Sequence, residues 1–165
     1  MSDMQIISFE GDYNNEDAYN RVLGYIAQKK YIGGFGFSCT PELSVVEWFQ
    51  LSEFYSNYSG SGKRKIWHFI ITFQKEWDSL SLTSMAVWVS GIFREKYQSL
   101  WGVDYSPGTP HLHFGINAFS YHPDIPPLSE TEMHGLLENL LRYLQQLYPN
   151  KTVSLIFKER STSYV

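Results

Sequence analysis

Cysteine is nearly absent from this chain: Cys39 is the one thiol, which excludes an internal disulfide framework and a cysteine-rich zinc site. No apolar run approaches the length needed to span a bilayer. The first residues also lack the charged-then-apolar order of a secretory signal, so a cytoplasmic protein with no membrane partner is expected. A basic surplus is missing too. The formal net charge is -4, which argues against the broadly basic surface that nucleic-acid-binding domains usually carry, although Lys29 and Lys30, Lys63 to Lys65, and Arg94 with Lys96 form local clusters. Gly33, Gly34 and Gly36 do not have the spacing of a phosphate-binding loop, so nothing supports a nucleotide-cofactor enzyme.

What the chain does contain is apolar and aromatic. Hydrophobic residues make up 43% and aromatic residues 17% of its 165 positions, enough for one packed domain over residues 1–165. Residues 4–9 read as a strand. A helix capped by Asn14 or Asn15 follows, with Ala18, Val22 and Ile26 at helical spacing and Gln28, Lys29 and Lys30 at its end. The glycine-containing stretch 31–37 reads as a loop. Residues 41–58 read as a helix with Pro41 in the first turn and Leu43, Val46, Phe49 and Phe54 on one side, followed by a flexible positive loop over 59–65.

From Lys65 onward the expected order is strand (65–73), helix (81–97), strand (98–105), strand from His111, helix and strand (152–157). Ser129 and Glu132 form a capping-box pair ahead of a leucine-rich helix. That order is the split βαβ arrangement of ferredoxin-like α+β folds: a five-stranded antiparallel sheet with helices on one face, the N-terminal strand and two helices being an addition.

Residues 106–121, SPGTPHLHFGINAFSY, are the chemically distinctive stretch. Strand alternation puts His111, His113, Gly115 and Asn117 on one face and Leu112, Phe114, Ile116 and Ala118 on the other. Two imidazoles at i and i+2 can converge on one divalent cation, and Asp104, near the end of the preceding strand, can face them across a hairpin loop at 106–110. His68, in the middle of an apolar strand, reads as a packed histidine, His122 as a poor third ligand and His134 as a helix-surface residue. Trp67, Trp101 and Tyr105 are candidate stacking platforms for bases.

Four stretches in order resemble the relaxase and mobilisation-nuclease family of the HUH endonuclease superfamily, in its MobA and MobV types. They are LGYIAQKK (23–30), IWHFIITF (66–73), TPHLHF (109–114) and Ile116-Asn117. The resemblance implies a metal-dependent nickase of single-stranded DNA at a plasmid origin, working in conjugation with accessory mobilisation proteins. It implies Tyr25 as nucleophile, with Tyr31 as the fallback, and Mg²⁺ or Mn²⁺ held by His111 and His113. Asp104 stands where the family usually has a third histidine, in an HxD context. A carboxylate with two imidazoles is a reasonable octahedral face. The same substitution also suits a degenerate HUH-like domain that binds DNA or a protein partner without cutting.

Overall fold

Strands buried on both faces read as unbroken apolar runs, and IWHFIITF (66–73) is such a run: seven of its eight positions are buried. A computed structural model describes residues 2–60, 62–74, 79–105 and 109–159, only the backbone being described at 79 and 80. In chain order its elements are β1 (Met4–Phe9), α1 (Ala18–Ala27), β2 (Tyr31–Phe35), α2 (Val45–Tyr55) and β3 (Ile66–Phe73), then α3 (Ser79–Gly91), β4 (Ser99–Asp104), β5 (His111–Asn117), α4 (Glu130–Leu147) and β6 (Val153–Lys158).

The strands form one sheet in the order β2-β4-β5-β3-β1-β6. Every neighbouring pair is antiparallel except β1 and β6, which run parallel from Met4 opposite Val153 to Phe9 opposite Lys158. The sheet is therefore mixed and six-stranded rather than antiparallel and five-stranded. The unit β3-α3-β4 is split by β5 as the element order implies, but β1 lies between β3 and the last strand. The N-terminal strand is thus an interior member of the sheet, not an addition to it.

Helices cover both faces, where one covered face was expected. Val22, Leu23 and Ile26 of α1 and Phe49 of α2 pack with Ile7, Ile66, Ile70 and Leu100. On the opposite side Val89, Leu137 and Leu140 of α3 and α4 pack with Ile6, Phe69, Ile71, Val103, Leu112 and Phe114.

Four local expectations change for identifiable reasons. The 31–37 stretch forms an edge strand, because its glycines permit close approach: a Cβ on Gly33 would lie 2.5 Å from the Trp101 ring and one on Gly34 2.1 Å from the Ser99 carbonyl. Helix α2 starts at Val45, since Ser44 and Glu47 form a complete capping box, and it leaves Phe54 75% exposed. Helix α1 begins after Asp17, while Asn15 accepts from the Asp17 amide instead of capping the helix. The 63–65 cluster is not a free positive loop. Arg64 donates to the Glu10, Gly11 and Ile66 carbonyls and stacks on Trp67, while Lys65 is buried against Glu53.

Asn117 ties these layers together from a fully buried position. Its amide donates to the Phe49 carbonyl at 3.1 Å and to Gln98 Oε1 at 2.7 Å, and its oxygen accepts from the Phe119 amide at 3.1 Å and the Tyr19 hydroxyl at 3.4 Å. Asn117→Ala strands buried donors and acceptors on α1, on α2 and in the segments that precede β4 and follow β5. It is expected to lower unfolding stability by about 3 kcal/mol in urea titrations, and an unchanged midpoint would show that Asn117 is not the tie described.

Candidate functional site

The β4–β5 ladder sets Asp104 opposite His111 and Gly102 opposite His113, all directed toward the α1 side of the sheet. Two glycines on these strands let α1 lie close. A Cβ on Gly102 would come within 2.9 Å of Lys29 Cγ and 3.0 Å of the Ile26 carbonyl, and one on Gly115 within 3.2 Å of Leu23. The end of α1 therefore sits directly over the histidine pair.

Tyr25, one helical turn before Lys29, stands edge-on to His113 with ring centroids 5.3 Å apart. Lys29 Nζ lies 3.8 Å from the centre of the Tyr25 ring and 3.2 Å from Asp104 Oδ2. That same carboxylate oxygen is 3.8 Å from His113 Nε2. His111 and His68 flank His113, each ring stacked on it at 6.2 Å. The residues expected from sequence at positions 25, 104, 111 and 113 are thus neighbours, drawn from three elements.

Burial governs the electrostatics. His113 is 1% exposed, and burial, with the nearby Lys29 charge, pushes its pKa down to about 3 despite the opposing pull of Asp104. Burial likewise lowers His68 to about 3, helped by His113 and Arg21, and lowers His111, where Asp104 opposes. All three imidazoles are neutral at physiological pH, the form that binds metals. Both ring nitrogens of His113 and of His68 lack a hydrogen-bond partner among the described residues. Imidazole nitrogens and a carboxylate oxygen are donor types that suit a divalent cation, although the one set of three such donors within 4.8 Å of one another among the described residues is Glu10, Glu130 and His134.

Two features oppose a cation at His113. Asp104 is already ion-paired to Lys29, and the position facing His113 across the ladder is a glycine with no donor to give.

Other candidates separate from this cluster. Tyr31 is paired with Val103, which places it on the α3 side of the sheet, away from the histidines. Trp67 and Trp101 are buried and present no stacking surface, while Tyr105 is exposed and packs edge-on against Tyr31 at 6.1 Å, with Lys30 Nζ 5.4 Å from the Tyr31 ring centre. His122 lies at the surface near the Glu95 carbonyl at 3.2 Å. His134 is more than a helix-surface residue: its Nε2 meets Glu10 Oε1, Phe157 stacks on its ring, and with Glu130 the three donors lie within 4.8 Å of one another. The member of this cluster that sequence reasoning missed is Lys29. Its four-residue spacing from Tyr25, across the end of α1, was the available signal. The expected hairpin loop at 106–110 lies partly outside the described residues, at 106–108. Among the described residues no helix is long and apolar enough to cross a membrane.

Comparison with known proteins adds no identification: no protein-family model, curated protein or solved structure matches the chain.

The depressed histidines make stability pH-dependent. The unfolded chain takes up protons near pH 6.5, while the folded chain resists until about pH 3 at His68 and His113. Stability is therefore full above pH 6.5 and is lost progressively as the pH falls toward 3. Melting temperatures measured from pH 8 to pH 4 are expected to be level and then decline, with a shallower decline in His68→Leu; parallel profiles would remove His68 from this account.

Proposed function

We propose that this domain is a relaxase-type HUH endonuclease: a divalent-cation-dependent nickase of single-stranded DNA in which Tyr25 is the nucleophile and His111, His113 and Asp104 hold Mg²⁺ or Mn²⁺. The observation that carries the reading is that Tyr25 from α1, Asp104 from β4 and the two histidines from β5 are neighbours over the same face of the sheet. Bound there, the cation would offset the charge of the scissile phosphate.

The chain's own groups do the rest. The Tyr25 oxygen attacks phosphorus as its proton leaves to solvent or a neighbouring base. The bond to the 3′-oxygen breaks, giving a free 3′-hydroxyl and a 5′-phosphotyrosine. Asp104 and the neutral imidazoles supply oxygen and nitrogen donors, held in place by the packing of Leu112 and Phe114 on the other face of β5. Exposed Tyr31 and Tyr105, with Lys30 beside Tyr31, offer stacking and charge for unpaired bases that pass around the edge of the sheet, on the side away from the histidines. A cytoplasmic setting and accessory mobilisation proteins belong to this same reading.

A second reading, a degenerate domain of this kind that binds DNA or a protein without cutting, is favoured by the Lys29–Asp104 ion pair and by the missing donor at Gly102.

Single-stranded oligonucleotides carrying candidate origin sequences, incubated with the protein and Mn²⁺, separate the two. Under the first reading a covalent adduct maps to Tyr25 and falls at least 100-fold in Tyr25→Phe, and Mn²⁺ binding by calorimetry disappears in the His111→Ala, His113→Ala double variant. Oligonucleotide binding without any adduct or Mn²⁺ heat would instead establish the second.

A further inference from the structure

The chain carries its own cation at the site. Lys29 Nζ lies 3.2 Å from Asp104 Oδ2 and 3.8 Å from the centre of the Tyr25 ring, so one ammonium touches both the carboxylate and the tyrosine. The side chain is only 14% exposed, and its Cγ runs over Gly102, where a Cβ would come within 2.9 Å of it. Gly102 in turn faces His113 across the ladder. The lysine stem therefore fills the space over the strand from which a further donor toward His113 would project. Lys29 lies just past the end of α1, its amide bonded to the Ile26 carbonyl at 3.0 Å, so its backbone is anchored to the helix.

A divalent cation bound by His113, His111 and Asp104 would stand beside that ammonium at like-charge contact. Both would draw on the one Asp104 carboxylate, whose Oδ2 is 3.2 Å from Lys29 Nζ and 3.8 Å from His113 Nε2. We propose that Lys29 is an intramolecular competitor for the cation: it occupies Asp104 while the metal is away and must leave it for metal to bind. Metal entry then frees a positive side chain at the mouth of the site, next to exposed Lys30, where a phosphodiester backbone would meet it. Lys29 is on this account a gate on metal loading, and it rests on the reading of His111, His113 and Asp104 as ligands.

Calorimetry with Mn²⁺ alone, on the whole chain, tests it through affinity rather than turnover. Lys29→Met and Lys29→Gln are compared with the parent and with Lys29→Arg, the folded state of each being checked by circular dichroism. The neutral variants are expected to bind Mn²⁺ at least tenfold more tightly than the parent, and Lys29→Arg to stay near it. Loosening of α1 would weaken binding, so a gain in affinity separates competition from a structural role, and Lys29→Gln serves if Lys29→Met does not fold. Equal or weaker binding by the neutral variants, with the parent binding, overturns the gate and leaves the ligand assignment standing. Absence of Mn²⁺ binding in every protein overturns the gate together with the ligand assignment.

Discussion

The end of helix α1 lies this close to β4 and β5 because Gly102 and Gly115 put no side chain beneath it. A methyl group at Gly102 would meet both the helix backbone at Ile26 and the stem of Lys29. The rest of the cluster follows from this contact. With the helix seated, Tyr25 reaches His113 and Lys29 reaches Asp104. Lifted by the width of one side chain, α1 would lose both contacts and leave Ile70 and Leu23 partly uncovered. The two glycines thus determine the chemistry without taking part in it.

The cluster also breaks a general rule of protein interiors. A buried imidazole without a hydrogen bond costs about 1–3 kcal/mol, and His68 and His113 each have two ring nitrogens in that condition among the described residues. Elsewhere the interior is attentive to such groups: the Trp67 indole donates to the Leu128 carbonyl, and Gln98, Ser52 and Asn117 satisfy one another. Apart from the Trp48 indole nitrogen on α2, the unpartnered buried side-chain atoms among the described residues gather at these histidines, the pattern of a place shaped by something other than stability. Charge tells a related story. Of the basic residues grouped in the sequence, Lys29, Arg64 and Lys65 are engaged internally with carboxylates and carbonyls, which thins the positive clusters that the sequence shows.

The legible parts of the sequence were those with a strong period or a strong local signal. β3 and β5 announced themselves by β-branched and aromatic density and by alternation, and α4 by its capping box and leucines; the i, i+2 rule put His111 and His113 on one face. Strand β2 was illegible because Gly33 and Gly34 lack the side chains that mark strands, and their role emerges only against Trp101 and Ser99. The sheet order was hidden for another reason. Nothing local in an apolar run such as MQIISF says which strand it will neighbour, so the insertion of β1 between β3 and β6 had no signature. Lys29 looked like an ordinary basic residue at a helix end. Its pairing with Asp104 spans 75 positions of sequence and is a property of the folded chain.

The parallel pairing of β1 with β6 has a kinetic consequence. Asp3 and Thr152, bonded to each other beside the start of that ladder, are 149 positions apart, so during synthesis the first strand leaves the ribosome long before its outer neighbour exists. Until then β1 has only β3 to pair with, and its other edge stays open to any strand nearby. The hairpin of β4 and β5 joins quickly by comparison, because its strands are close in sequence. The face that carries Asp104, His111 and His113 is thus assembled on a local unit, while closure of the sheet waits for β6.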